Sequence, residues 1–246
     1  MTALSAEETR RYARHIVLKG MGGEGQQKLK AARVAVVGAG ALGSPAIAYL
    51  AAAGIGHLTV IDSDEVSLSN LQRQILHRTG DIGEAKVASA GRFVAALNPH
   101  VSMDCRLARI DRGNAGALLG GHDLVLDGSD NLSTRLAVAG AAETLAVPLV
   151  SGAISMFDGQ VTVFAPHLAR PDGSPYPGFR ALYPEDADDA DLPSCEATGV
   201  LAPLAGVIGA QMAMEAIKLL TGIGTPLLGR LMLYDGKAGR MTEVDY

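Results

Sequence analysis

Four short runs of apolar residues in the first 150 positions are each followed closely by glycine or aspartate. They are Val34–Val37, His57–Ile61, Leu124–Leu126 and Leu149–Val150. Apolar runs of this length predict strands of a parallel sheet that is covered on both faces. Leu42–Ala53 lies between the first two runs, is rich in alanine and ends at glycines, so it predicts a helix.

The order of these segments predicts the fold class. With a further strand at Val101–Arg106 and helices from about Ile82 to Leu97 and from Asn131 to Ala146, the order to Val150 is β-α-β-α-β-β-α-β. This order is typical of an α/β protein with a Rossmann-like, doubly wound, mostly parallel sheet.

The second part of the chain has a different pattern. Ala153–Phe157 and Gln160–Phe164 predict a hairpin that turns at Asp158–Gly159, and Arg230–Tyr234 and Arg240–Val244 predict two final strands that turn at Asp235–Gly236. We therefore expect a C-terminal antiparallel extension of the sheet. The mostly apolar segment 201–220 predicts a helix that is buried or forms a subunit interface.

We interpret residues 1–246 as a single domain with three parts. Residues 1–32 form an N-terminal arm, with a helix over Ser5–Leu18 that a Ser5–Glu8 capping pair begins, and then a flexible link at Gly20–Gly25. Residues 33–152 form a nucleotide-binding core. Residues 153–246 include a proline-rich and acidic loop, 166–193, which we expect to be mobile and functional.

Composition narrows the classes of partner and compartment. A net charge of -5 with no basic block argues against nucleic acid as a partner. Only two cysteines, Cys105 and Cys195, indicate a reducing, cytoplasmic location. Residues 34–61 carry no Asp, Glu, Lys or Arg, but five glycines and Pro45 divide them into strand, turn and helix, so we expect no membrane association. Cys105, inside a predicted strand, is expected to be a small core residue.

The glycines after the first strand indicate a nucleotide site. Gly38, Gly40 and Gly43 form a Gly-x-Gly-x-x-Gly pattern, and Asp62 follows 19 residues after Gly43. This spacing meets the dinucleotide fingerprint, so an NAD-dependent oxidoreductase is one interpretation. A glycine pattern of this kind is a weak signal by itself.

Residues further along the chain favour a triphosphate instead. Capping patterns at Ser69–Gln72 and Asp81–Glu84 place Arg73 and Lys86 close to two predicted helix starts. The helix dipole disfavours cations there, so a bound anion would explain both. Asp130 follows a later strand and is suited to recruit Mg²⁺ to phosphate oxygens.

These residues lie in longer segments that carry a family resemblance. The segments are Arg10–Leu18, Gly38–Gly43, Asp62–Gln74, Gly83–Lys86, Asp130–Arg135, Cys195–Gly199 and Gly206–Gly209. Through them the chain resembles the MoeB/ThiF/HesA family of ATP-dependent adenylyltransferases, which are relatives of ubiquitin-activating enzymes. The pattern is closest to that of the molybdopterin-synthase adenylyltransferases.

The resemblance implies a reaction and its partners. ATP and Mg²⁺ would be used to adenylate the C-terminal Gly-Gly carboxylate of a small ubiquitin-like sulfur carrier, MoaD-like or ThiS-like, in molybdopterin or thiamin biosynthesis. The enzyme would be a homodimer, and the sulfur would come from a separate donor protein.

The resemblance also assigns roles to residues. Arg14, supplied by the neighbouring subunit as an arginine finger, Arg73, Lys86, Asp130 and Cys195 would be catalytic, and Asp130 would hold Mg²⁺. The nucleotide would be bound by Gly38, Gly40, Ala41, Gly43, Asp62, Ser69, Asn70, Leu71, Gln72, Arg73, Lys86, Asp130 and Asn131. Ala41 stands where the family often has glycine.

One departure from the family concerns zinc. Many relatives hold a structural zinc ion with two Cys-x-x-Cys pairs, the first of which aligns with Gly178–Ala181 here. With only two cysteines a Cys₄ site is impossible, so we expect no structural zinc. Cys195 would then be either a thiolate nucleophile or an inert residue.

Three other interpretations stay open at this point. A relative that adenylates a tRNA base and an NAD-dependent oxidoreductase are both enzymes. A protein that binds nucleotide and partner without catalysis is the third, although all the expected charged residues are present.

Overall fold

The computed structural model describes residues 3–184 and 199–246 of the chain. In these residues one sheet has eight strands, in the order β3-β2-β1-β4-β5-β6-β7-β8. The strands are β1 Arg33–Val37, β2 His57–Asp62, β3 Ser102–Leu107, β4 Leu124–Asp127, β5 Leu149–Ser155, β6 Asp158–Phe164, β7 Arg230–Asp235 and β8 Arg240–Asp245. The first five run parallel and the last three extend the sheet antiparallel. The predicted fold class is confirmed.

Helices cover both faces of this sheet. They are α1 Ala6–Arg11, α2 Ala13–Ile16, α3 Gly22–Ala31, α4 Gly43–Ala53, α5 Lys86–Leu97, α6 Ala115–Leu119, α7 Leu132–Thr144 and α8 Ala202–Thr221, with short 3-10 helices at Leu68–Asn70, Thr79–Asp81 and Phe179–Ala181. Helices α3, α4, α5 and α8 contribute to the buried cluster on one face, and α6 and α7 to the cluster on the other. Strand side chains that alternate between these clusters explain why the strand sequences are apolar throughout.

The structure corrects the prediction at three connections. A helix, α3, occupies most of the region predicted as a flexible link, and it begins at Gly22 after the cap residue Met21. A short helix that was not predicted, α6, lies between β3 and β4. The first hairpin turns at Met156–Phe157 rather than at Asp158–Gly159, because Ser155 pairs with Asp158.

Two predicted capping boxes are wrong. Ser69 and Gln72 have the spacing of a capping box, but the segment is the 3-10 helix Leu68–Asn70, and no side chain caps its N-terminus. Helix α5 begins only at Lys86, and Asp81 instead accepts a hydrogen bond from the Arg78 N–H at 2.9 Å. Cys105 is exposed and is not the core residue that was predicted.

The N-terminal arm is fastened at the C-terminal end of α4. The predicted capping box of Ser5 and Glu8 is present, but the helix is interrupted at Tyr12. The Tyr12 ring covers Gly54, whose φ of +87° and lack of Cβ leave space for it. Burial opposes ionisation of Glu8, but its hydrogen bonds with Lys30 and Ser5 prevail and lower its pKa to about 2. The arm is therefore held by both packing and charge.

Helix α8 is the longest helix of the described residues. It packs against α4, β5 and α3. By length and hydropathy alone it could cross a membrane, but half of its most apolar window is buried inside the protein. The prediction that it is buried is confirmed for one face, while Met214 on the other face is exposed.

Aromatic packing occupies residues 178–181, the segment that the family resemblance aligned with a cysteine pair. Phe179, in the 3-10 helix there, stacks on Tyr183 with ring centroids 4.4 Å apart and also contacts Phe164. Within residues 3–184 and 199–246 no group of three His, Cys, Asp or Glu side chains could hold a metal ion. Cys195 lies outside the described residues.

The turn between β1 and α4 depends on the close approach of two glycines. A Cβ atom at Gly43 would lie 1.8 Å from the carbonyl oxygen of Gly38, a distance that no structure tolerates. Gly38 itself has a φ of +91°, which favours glycine. The glycine pattern is therefore required by the turn itself, before any ligand is considered.

We predict that Gly43→Ala opens this turn and lowers the free energy of unfolding by about 3 kcal/mol, because backbone atoms must move apart. Gly140→Ala is the matched control, since Gly140 lies in α7 with open space around it and alanine favours a helix there. Chemical denaturation measures both. Equal stability of the two variants would show that the turn tolerates a side chain.

Candidate active site

A pocket of about 590 Å³ opens at the carboxyl ends of the parallel strands. This volume is in the usual range for small-molecule sites. Its walls come from the turn after β1, the segments after β2, β3 and β4, the hairpin of β5 and β6, and β7. Ligands bind at this edge in open α/β sheets because the loops that follow successive strands converge there.

The pocket brings together eight of the predicted nucleotide-binding residues. These are Gly38, Gly40, Ala41, Asp62, Arg73, Lys86, Asp130 and Asn131. Gly43, Ser69, Asn70, Leu71 and Gln72 do not line it. Gly43 shapes the turn, and the backbone of buried Asn70 accepts hydrogen bonds from the N–H groups of Arg73 and Gln74.

Asp62 links the ends of β1 and β2. One carboxylate oxygen accepts a hydrogen bond from the Ala39 N–H at 2.7 Å, and the other accepts one from the Asp64 N–H at 2.8 Å. Burial raises the pKa of Asp62, while Lys86 and these two hydrogen bonds act in the opposite direction. Each oxygen still has a lone pair that could accept a ligand hydroxyl.

Lys86 is the first residue of α5, whereas the sequence predicted a helix from about Ile82 with Lys86 within its first turns; its side chain is buried. Its ammonium lies 2.8 Å from the Asp64 carboxylate, which is largely exposed. Asp64 thus offsets a cation at a helix N-terminus, where the helix dipole disfavours it. The sequence suggested an anion beside Lys86, and the structure shows that Asp64 supplies one.

Arg73 reaches the pocket from a different setting than predicted. It does not begin a helix, because it follows the 3-10 helix Leu68–Asn70. Its guanidinium donates to the Ser69 carbonyl at 3.0 Å, which leaves further donors for a ligand.

The loop after β4 presents Asp130 and Asn131. Asp130 is exposed and makes no ion pair within the described residues. Asn131 caps α7 by accepting a hydrogen bond from the Thr134 N–H, as predicted. Fully buried Asp127 accepts hydrogen bonds from the backbone and hydroxyl of Ser129, which fixes the start of the loop.

Arg135 was named only as part of the family resemblance, but it lines the pocket. It is buried, and one nitrogen donates to the carbonyls of Ser129 at 2.6 Å and Gly152 at 2.8 Å. It therefore joins the loop after β4 to strand β5. In the sequence, the position of Arg135 in the first turns of the helix that Asn131 caps was the signal that could have indicated a place at the pocket.

Other lining residues were missed by sequence reasoning. Asp64, Gln74 and Arg109 border the glycine turn and the ends of β2 and β3, while Asp158 and Gln160 come from the hairpin. Gln74 is buried, and its side-chain oxygen has no hydrogen-bond partner within the described residues. Asp64 and Gln74 are close in sequence to Asp62 and Arg73, and this closeness could have indicated that they belong to the site. Nothing in the sequence indicated the hairpin residues.

Arg14 is not near this pocket in its own chain. The arm is anchored by Tyr12 at Gly54, the C-terminal cap of α4, whereas the glycine turn is at the other end of that helix. Eleven residues of α-helix span about 16 Å. Arg14 is exposed and has no ion-pair partner among the residues described.

The geometry suits an anionic nucleotide. Cations at Arg73 and Lys86, the pocket-lining backbone of the glycine turn and acceptors at Asp62 are positioned for phosphates and for a ribose. Asp130 lines the same pocket, where a carboxylate would repel phosphate unless a cation bridged them.

Known proteins are similar to this chain over nearly its whole length. The model of the ThiF family matches residues 12–246. The sulfur carrier protein adenylyltransferase of Thermus thermophilus is 47% identical over 229 residues, which are 93% of this chain and 84% of that protein. The molybdopterin-synthase adenylyltransferase of Escherichia coli is 44% identical over 245 residues, 99% and 95% of the two chains.

Solved structures support the fold. The crystal structure of E. coli MccB with ATP has a TM-score of 0.82 and 20% identity, covering 99% of this chain and 73% of that one. The structure of PaaA has a TM-score of 0.78 and 26% identity, covering 100% and 75%. Fold, pocket and sequence agree, and the chain belongs to the ThiF family, among relatives that are named adenylyltransferases.

Proposed function

We propose that this enzyme uses ATP and Mg²⁺ to adenylate the C-terminal Gly-Gly carboxylate of a small ubiquitin-like sulfur carrier, MoaD-like or ThiS-like, and releases pyrophosphate. The observation that carries the proposal is the pocket that Asp62, Arg73, Lys86 and Asp130 line together with the glycine turn. The names of the relatives support a sulfur-carrier substrate. The pathway would be molybdopterin or thiamin biosynthesis.

We assign each part of the proposed reaction to a part of the pocket. Asp62 would accept the ribose hydroxyls, and the N–H groups of Gly40 and Ala41 would meet the phosphates. The hairpin side of the pocket, near Gln160, would admit the carrier tail. A carboxylate is already ionised at neutral pH, so it can attack the α-phosphorus without a general base.

Catalysis would then rest on positioning and charge neutralisation. The attacking carboxylate oxygen forms a bond to the α-phosphorus while the bond to the pyrophosphate oxygen breaks. Arg73 and Lys86 would stabilise the charge that develops on the phosphate oxygens and on the leaving pyrophosphate. Lys86 would exchange its Asp64 partner for phosphate.

The residues present fit a magnesium ion. Mg²⁺ is commonly held by one or two carboxylates together with substrate phosphates and water, so a dedicated cluster of protein ligands is not needed. Asp130 is exposed at the pocket and unpaired within the described residues. Bound there, the ion would neutralise charge on the triphosphate.

We propose a homodimer in which Arg14 serves the pocket of the partner subunit. Within one chain the arm holds Arg14 away from the pocket, yet Val17 and Leu18 beside it are exposed, as are Tyr49 on α4 and Met214 on α8. Exposed apolar residues of this size are typical of subunit contacts. A two-fold axis would complete both sites equally.

The remaining parts of the proposal come from the sequence. Sulfur would be supplied by a separate donor protein, the location would be cytoplasmic, and no nucleic acid or membrane would be bound. Cys195 would act on the activated carrier or be inert. A tRNA-base substrate is the second candidate, but the net charge of -5 does not favour it.

The first prediction separates ATP from NAD. ATP with Mg²⁺ at 100 times its Kd should add about 2.7 kcal/mol to the stability of the folded state, a rise in Tm of roughly 5–10 °C for a chain of this size. NAD should leave the Tm unchanged. Thermal unfolding with each ligand measures this, and stabilisation by NAD alone would favour an oxidoreductase.

The second prediction concerns Asp130. Asp130→Ala should reduce carrier-dependent ATP–pyrophosphate exchange by about 100-fold or more, because the phosphates lose their metal-binding carboxylate. Its circular dichroism should match the parent, since Asp130 is exposed. Asp104→Ala, at a surface aspartate on β3 that pairs with Arg106, is the control. Full activity of Asp130→Ala would show that Asp130 does not hold the metal ion.

The third prediction tests the shared site. Arg14→Ala and Asp130→Ala should each be inactive, but after subunit exchange an equimolar mixture should regain about a quarter of the exchange activity, because one site in each mixed dimer is intact. Arg10→Ala, at another exposed arginine of the arm, should stay active. If the mixture stays inactive, Arg14 does not act across a dimer.

A further inference from the structure

A buried histidine lies directly behind the glycine turn. His77 is 6% exposed, and its Nε2 is 2.9 Å from the carbonyl oxygen of Ala39. On its other side Nδ1 is 2.9 Å from the Ser89 hydroxyl, which is 2.7 Å from the Asp81 carboxylate. A chain of polar contacts thus runs from the turn through Ser89 of α5 to Asp81, the last residue of the 3-10 helix Thr79–Asp81. Nothing in the proposed reaction uses it.

These polar contacts fix the orientation of one peptide group. Ala39 is held on both sides, since its N–H donates to Asp62 and its carbonyl accepts from His77. In a planar trans peptide the carbonyl of Ala39 and the N–H of Gly40 point in opposite directions. A carbonyl drawn toward His77 therefore turns the Gly40 N–H away from the ring. Gly40 lines the pocket, and its N–H has no partner in the described part of the chain.

We propose that His77 is a positioning residue for phosphate binding: by holding the Ala39 carbonyl through Nε2–H it aims the Gly40 N–H into the nucleotide pocket. This rests on the proposed nucleotide site. His77 itself touches no substrate. Its effect should be confined to ligands that carry phosphate.

The number of protons available to this chain of hydrogen bonds gives the proposal a second consequence. A carbonyl and an ionised carboxylate only accept hydrogen bonds, and Asp81 is ionised because its bonds from Ser89, Arg78 and Arg92 lower its pKa to about 2. The neutral ring and Ser89 supply two protons for three contacts. Only a charged ring would satisfy all of them.

The charged groups around the ring determine which form prevails. Burial lowers the pKa of His77, and Lys86 also lowers it, while the bond to Ala39 and the carboxylates of Asp62 and Asp81 raise it. The net direction is downward, so the ring is neutral at neutral pH with its proton on Nε2. Phosphate in the pocket would add negative charge nearby and favour the charged ring. By reciprocity, protonation of His77 should tighten ATP binding.

Ligand-binding calorimetry tests the positioning role without knowledge of the carrier. The probes are adenosine and an ATP analogue whose α–β bond cannot be cleaved. His77→Phe, which keeps a ring but has no donor, should weaken the analogue about tenfold, the effect of one lost hydrogen bond, and leave adenosine within about twofold. His77→Gln, which keeps a side-chain N–H, should restore most of the affinity. His167→Phe, at an exposed histidine outside the pocket, is the control.

The outcomes separate the two proposals. If the parent protein does not bind the analogue, the proposed function fails and this inference fails with it. If the parent binds and folded His77→Phe binds equally well, only the role of His77 is overturned. Equal losses for adenosine and the analogue would also overturn it, because they indicate a general distortion of the pocket.

A measurement on the parent protein covers the case in which His77→Phe does not fold. NMR titration of the His77 ring nitrogens should show a higher pKa with the analogue bound than without it. Ser89→Ala, which breaks the chain beyond the ring, should change that shift while the protein stays folded. A pKa of His77 that is the same with and without the analogue would overturn the proposal.

Discussion

The hydrogen bond from the Ala39 N–H to Asp62 is the contact on which the site depends. It exists because β1 and β2 pair in parallel with Val37 beside Ile61, so that both strands end at the same level. The glycine turn and the segment after β2 then close around one carboxylate. A shift of this register by one residue would turn the Asp62 side chain to the other face of the sheet and separate the two loops.

Charge is balanced inside the pocket before any ligand arrives. Lys86 is buried at the start of α5, where both desolvation and the helix dipole oppose a cation, and Asp64 offsets both. Arg135 is buried as well, and backbone carbonyls accept its hydrogen bonds. The fold can therefore keep cations in place for an anionic ligand without being destabilised when the ligand is absent. The exposed carboxylate of Asp64 can move away at little cost, because solvent is available to it.

The arm illustrates a different constraint. Tyr12, Asn98 and the end of α4 form a buried contact in which the Tyr12 hydroxyl accepts a hydrogen bond from Asn98 at 2.8 Å. Together with the Glu8–Lys30 pair this contact fixes the arm at the end of α4 remote from the pocket. A single chain therefore holds the residues of the proposed nucleotide site in one place and the arginines of the arm in another. This separation is the physical basis for the proposed two-chain site.

The sequence alone determined the parallel strands, the glycine turn, the acid after β2 and the position of Lys86 close to a helix start. These follow from local properties: apolar runs, the space that only glycine leaves, and residues at fixed distances along the chain. The structure decided what depends on contacts between distant segments. Asp64 as the partner of Lys86, the approach of His77 to Ala39, the entry of Gln160 into the pocket and the distance of Arg14 from it all arise when separate elements pack. Local pattern cannot reveal them, because each is fixed by the register of the sheet and by the helices that cover it.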